Sequence, residues 1–278
     1  MSKRVVGQKR TPSVRQEQGL LCRLESDGMT EEDAQAVIQS RGNKLAKKLL
    51  GVIRGTLVRA VEEKVGASVP SVIEMTPSQL AAQKIMRKNV FGIAEAMKHY
   101  KVKPTKKELK ELETVRFSEE KMRACAKTHL LVADFGLSVM DVWKQHCELF
   151  CCKIDPWYGN WCEAKWARKR VKAQWRLLRK TAVPDSFGKD LAKQEEMLGK
   201  GEEVPEAREM VYMVIGHYLA TGEKLFSDYY VRRRSLSGAG SRIVIGRFDA
   251  LGLLILSWDG NPNDDVGLAS SCLPAEAR

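Results

Sequence analysis

The sequence predicts an α+β fold: a helical N-terminal region followed by a mixed domain with a small antiparallel sheet. Three observations predict it. Capped amphipathic helix patterns fill the first half. A long apolar helix pattern, "EAREMVYMVIGHYLATGEKLF" at 206–226, stands in the second half. The tail after it is all strand and turn. The implied divisions are a basic flexible arm over 1–28, a helical region over 29–115 and an α+β domain over 116–278.

Each element has a local reason. Thr30 opens the first helix, followed by Glu31, Glu32 and Asp33, acids that suit a helix N-terminus. Apolar residues then recur from Leu45 to Val61 on one face, with Gly51 and Gly55 weakening it. Thr76 is an N-cap with Pro77 at the first helical position, and Leu80, Ile85 and Met86 follow. "FGIAEAMKHYKVKPTKKELKEL" reads helix, turn, helix, with Ala94, Met97 and Leu109 expected to face inward. Ser118 caps a helix to about Lys127. "HLLVADF" has strand length, "LSVMDVWKQHCELF" returns to helix, and "QWRLLRK" is a strand before Pro184. Pro205 precedes the long helix and Gly222 ends it. "YYVRRRS", "SRIVIGRF", "GLLILSW" and "VGLASSC" are strands separated by turn residues.

Charge narrows the partners. Lys and Arg number 47 against 35 Asp and Glu, a formal net charge of +12. That excess favours anionic partners, nucleic acid first, although a solvated basic surface gives the same total. No stretch is apolar and long enough for a membrane span, and the basic N-terminus lacks the apolar core of a secretory signal, so a cytoplasmic location is the expectation. The seven cysteines are then expected as thiols.

Candidate sites follow from residue type and spacing. His146, Cys147, Cys151, Cys152 and Cys162 are zinc-ligand types within one short span, but no paired Cys-x-x-Cys knuckles are present, and small buried residues are the plainer account. Trp157, Trp161, Trp166 and Trp175 interleave with Lys165, Arg168, Lys169, Arg170, Lys172, Arg176, Arg179 and Lys180. Aromatics stack on bases while cations hold phosphates, but a helix with core on one side and charge on the other has the same pattern. The lysines of residues 98–110 make a basic face on two helices without the glycine turn of a DNA-reading pair. No serine-hydrolase elbow, phosphate loop or His-Glu-x-x-His motif occurs, and His217 sits in an apolar helix as a core histidine. The loop "SWDGNPNDDVGL" spaces oxygen donors as a calcium loop does. Counted from Asp259, however, it has Asp264 and Ser270 where the calcium-binding hand needs Gly and Glu, which leaves a plain turn or a recognition loop.

Beyond these patterns, "MRKNVFGIAEAMKHYKVKPTKKELKEL", "ACAKTHLLVADFGLSVMDV", "LLRKTAVPDSFGKD", the 204–226 helix and "VGLASSCLP" resemble a family of uncharacterised proteins of candidate-phyla bacteria. More distantly, "LLILSWDGNPNDDVGLASS" resembles the end of the C-type-lectin-like fold found in formylglycine-generating-enzyme-type domains and in target proteins of diversity-generating retroelements. The likeness implies a C-type-lectin-like domain over 116–278 in which "HLLVADF" pairs near the chain end. It also implies a non-enzymatic ligand-binding function with a surface varied by adenine-directed mutagenesis. The variable positions it implies are Arg242, Arg247, Ser257, Trp258, Asp259, Asn261, Asn263, Asp264 and Asp265. The catalytic cysteine pair of the enzymes has no counterpart, since Cys272 stands alone in the tail, so no catalytic residue, cofactor or metal is expected. The partner expected is a protein or small-molecule ligand. The alternative is a nucleic-acid-binding protein using the basic arm with Trp157, Trp161, Lys165, Trp166, Arg168, Lys169, Arg170, Lys172 and Arg176.

Overall fold

Ten residues from Pro77 to Met86 form the first helix (α1), closed at its start as its sequence dictates. Thr76 Oγ1 accepts from the Gln79 amide while Gln79 Oε1 accepts from the Thr76 amide. The structure is a computed structural model that describes residues 74–258 and 260–274. The basic arm, the helix expected from Thr30 to Val61 and position Asp259 lie outside the described residues.

The chain continues through β1 (Val90–Phe91), α2 (Ile93–Tyr100), α3 (Lys106–Glu111), α4 (Glu119–Cys125), β2 (His129–Asp134) and α5 (Val139–Gln145). Short 3-10 turns then lead to α6 (Ala164–Ala167), β3 (Gln174–Arg179), α7 (Leu191–Glu195), β4 (Glu202–Glu203) and α8 (Ala207–Thr221). The tail is β5 (Tyr230–Leu236), β6 (Arg242–Asp249), β7 (Gly252–Trp258), β8 (Val266–Leu268) and β9 (Ser271–Cys272). Mixed helix and sheet make this an α+β fold, and the expected strands are present except that "VGLASSC" is broken after Leu268 into β8 and β9, which join different sheets.

Two sheets result. The first has five strands in the order β1-β2-β3-β9-β4, with β1 parallel to β2 and the other pairs antiparallel. The second has four in the order β7-β6-β5-β8, closed by a parallel β5–β8 pair. "HLLVADF" therefore pairs with β1 and β3, and β3 separates it from the final strand β9. The strand expected to pair near the chain end thus lies one strand away from β9, with β3 bonded to both.

Helix α8 contacts β1 and β2 of the first sheet and β5 and β6 of the second. All its residues from Ala207 to His217 are buried. This explains its lack of a polar face: a helix covered on all sides is mostly apolar, and its buried Arg208, Glu209 and His217 are each paired. Gly222 ends it in the left-handed conformation at φ 77°. Gly216 stands where a Cβ would come within 2.9 Å of the Phe91 ring.

The other face of the first sheet meets the helical segment. Trp175 Nε1 and Gln79 Nε2 both donate to the carbonyl of Leu112, each at 2.8 Å. Helices α1–α4 therefore share one core with the strands, and no division falls at residue 115. Within α2 the inward residues are Ile93, Ala96 and Tyr100, not Ala94, which is exposed. The start of α2 at Ile93 sets the phase, fixed by Glu95 accepting from the Gly92 amide.

Candidate functional site

Two places in the described residues gather groups capable of chemistry or recognition. The first is the loop after β7. Antiparallel register pairs Arg242 with Trp258, Val244 with Leu256 and Gly246 with Leu254. Leu253 and Ile255 face the core, while Leu254, Leu256 and Trp258 share the half-buried opposite face, as strand alternation requires.

Loop 257–265 is fastened from beneath. Arg232 is fully buried in β5. Its Nη1 donates to the Lys189 carbonyl at 3.0 Å and to Gln194 Oε1 at 2.9 Å, and its Nη2 donates to the Asn261 carbonyl. Trp258 Nε1 donates to the same Asn261 carbonyl at 3.2 Å. The Gly188 amide donates to the Asn263 carbonyl at 3.1 Å, and Asn263 Oδ1 accepts from the Asp265 amide at 2.7 Å. The backbone carbonyls of Asn261 and Asn263 and the Asn263 side-chain oxygen thus serve the loop's own closure.

The side chains outside this clasp face solvent. Ser257, Asn261, Asp264 and Asp265 are exposed, and Asn263 and Trp258 are half-buried. Arg247 is exposed, pairs with Asp265 at 2.9 Å and lies over the Tyr230 ring. Arg242 is half-buried and donates to the Arg234 carbonyl at 2.7 Å. The register thus brings Arg242 to Trp258, and the ion pair brings Arg247 to the loop. Arg232, which organises the loop, was not singled out by sequence reasoning. Three consecutive arginines in a strand were the available signal, because alternation must turn at least one inward.

The tryptophan-rich stretch is dispersed. Trp166 and Trp175 are core residues, and Trp157 Nε1 donates to the Ile255 carbonyl at 2.9 Å, so these rings are engaged inside the protein. Trp161 is 89% exposed and offers a free face. Lys165, Arg168, Lys169, Arg170 and Lys172 are exposed, with Lys169 paired to Glu206 and Arg170 to Asp141. Arg176 is half-buried, bonded to Glu203 at 3.3 Å and to Glu209.

The second place is a buried cluster of Cys125, His129 and Cys272. Cys125 ends α4, His129 begins β2 and Cys272 lies in β9. Their ligand atoms all fall within 4.8 Å of one another, and the two sulfurs stand 3.8 Å apart. His129 pairs with Arg179 and Leu177 with Cys272, so His129 and Cys272 share the sheet face that α4 covers. Hydrogen bonding to Cys272 lowers the Cys125 thiol to about 4 against its burial, with His129 and Lys121 acting in the same direction. The same bond and burial push Cys272 up. The pair therefore gives up its first proton readily and its second reluctantly.

Cys272 is thus not alone, as the tail suggested. A separation of 147 positions leaves no spacing motif to read. Cys147, Cys151 and Cys152 are half-buried and Cys162 is exposed, and this group does not gather ligand atoms among the described residues. His217 is buried and bonded to Glu223 at 3.0 Å. A cavity of about 870 Å³ opens between α1, β1 and α2, but Glu95 on its wall is engaged in capping α2. No described helix is long and apolar enough to cross a membrane. No protein-family model matches the chain, and neither a curated protein nor a solved structure matches it.

Proposed function

We propose that the protein binds a ligand without catalysis, using a recognition surface formed by loop 257–265 and the adjoining ends of β6 and β7. In this reading the α+β domain is a C-type-lectin-like scaffold of the kind that diversity-generating retroelements vary. One observation carries the reading: the loop's backbone is clasped by a buried arginine while the side chains of Ser257, Asn261, Asp264 and Asp265 are exposed. A backbone fixed before binding lowers the ordering cost of association. Polar side chains outside the clasp are exchangeable without disturbing the core, as in other recognition loops. Trp258 beside Arg242 supplies an aromatic and cationic anchor of the type enriched at binding hot spots.

The test is genomic and biochemical. The reading expects a near-copy of the codons for residues 242–270 beside a reverse transcriptase gene, differing at adenines. A neighbourhood without such a copy overturns diversification. A library varied at Arg247, Ser257, Asn261, Asp264 and Asp265 should keep the parent's thermal transition in most members. Widespread unfolding would show that these side chains serve the fold rather than recognition. Random single-stranded RNA and DNA serve as the comparison, since binding that falls steeply with salt would favour a nucleic-acid partner.

A further inference from the structure

We propose that Cys125, His129 and Cys272 form a binding site for one zinc ion, with three donors from the chain and a fourth position for water or a small ligand. Thiolate and imidazole are the donors zinc prefers, and three of them fix a tetrahedral ion. Two thiolates each bound to one tetrahedral zinc stand about 3.8 Å apart. The sulfurs of Cys125 and Cys272 already have that separation, 3.8 Å, without the ion.

The histidine is set up as a ligand as well. Its Nδ1 is bonded to Thr128 Oγ1 at 2.8 Å, while Nε2 is buried and has no hydrogen-bond partner. An outer partner on one ring nitrogen is how a metal-binding imidazole is oriented, leaving the other nitrogen to coordinate. A buried ring nitrogen without a partner costs stability unless something takes it up. The three donors come from different elements held by the sheet register and the end of α4, so binding would tie the final strand to the helical segment. Each thiol loses its proton on binding, so zinc affinity should rise with pH.

Chelator-stripped full-length protein, kept reduced, is titrated with zinc and with cobalt(II). The expected result is one metal per chain and, for cobalt, thiolate charge-transfer and tetrahedral ligand-field bands. The variant carrying Cys22→Ser, Cys147→Ser, Cys151→Ser, Cys152→Ser and Cys162→Ser retains both. Cys272→Ser and His129→Ala lose the bands, with folding checked by circular dichroism. Because those two variants disturb the core, Thr128→Ala gives a milder arm, weakening zinc affinity by about tenfold or more. Absence of cobalt bands in the wild-type chain, their loss in the five-serine variant or a Cys125–Cys272 disulfide in the reduced protein would overturn the site.

Discussion

Arg208 of α8 donates to Asp134 of β2 at 2.9 Å, and both side chains are 1% exposed. The pair ties the central helix to the first sheet where neither charge reaches water. Asp134 Oδ1 also accepts from the Gly136 amide at 2.8 Å, and Glu209 neighbours the guanidinium at 3.4 Å. Removing one partner strands the other in a low-dielectric interior. Asp134→Ala should therefore cost about 3–5 kcal/mol of unfolding free energy, while the double change Asp134→Leu with Arg208→Met should cost far less than the two single changes together. Urea denaturation of the four variants checks this, and additive losses would show that the pair is not coupled.

Arg233 presents the opposite case. It is fully buried, Nη1 donates to the Arg232 carbonyl at 3.2 Å, and Nε and Nη2 have no hydrogen-bond partner. Burial drives its ionisation well below the ordinary arginine range, with Glu209 opposing. Arg233→Met keeps the volume and removes the desolvated charge, so stability should hold or rise by about 1–4 kcal/mol. A lowered thermal transition would instead mark the Glu209 interaction as net stabilising.

Asp141 gives a pH-dependent term. Burial would raise its carboxyl, but two bonds from Arg170, each 2.6 Å, and those from Ser138 outweigh it and lower the value. A folded value below the unfolded one, about 3.9, stabilises fully above the unfolded value and loses the effect as pH falls through the folded one. The gap between wild type and Asp141→Asn should be about 1 kcal/mol at neutral pH and close below pH 4, Arg170 being largely exposed. Paired denaturation curves at neutral and acid pH measure it.

Arg232→Ala removes the clasp under loop 257–265. The amides of Gly188 and Val266, which bond to the Asn263 carbonyl, should exchange faster with solvent, while those of β2 keep their protection. Equal acceleration everywhere would mean global destabilisation rather than release of the loop.

Gly246 tests the bulge that turns Arg247 outward. A Cβ there would sit 2.0 Å from the Tyr229 carbonyl oxygen, where the β6 register shifts. Gly246→Ala should cost about 1–3 kcal/mol, read from the denaturation midpoint.

Much of this architecture was legible in local chemistry. Thr76 and Ser118 cap the helices that their side chains announce, and strand alternation puts Leu253 and Ile255 on one face of "GLLILSW", which is the buried one. Such signals act within a few residues. What stayed hidden depends on residues far apart in the chain. The shared core across residue 115, the engagement of Trp157, Trp166 and Trp175, and the meeting of Cys125 with Cys272 are set by sheet order, which periodicity does not encode. Ala94 was misplaced because a short helix with alanines on two faces leaves its phase to the N-terminal contact. The exposed positions of the recognition loop follow from its turn chemistry, whereas Arg232 beneath them emerges only once β5 has neighbours.

The place of β9 between β3 and β4 has a consequence for how the protein is made. Residues 271 and 272 are an interior strand, so before they are synthesised β3 and β4 have no common partner. On the ribosome the first sheet can assemble only as far as β1, β2 and β3. Its closure waits for nearly the last residues described, and until then the edge of β3 is open to pairing with another nascent chain.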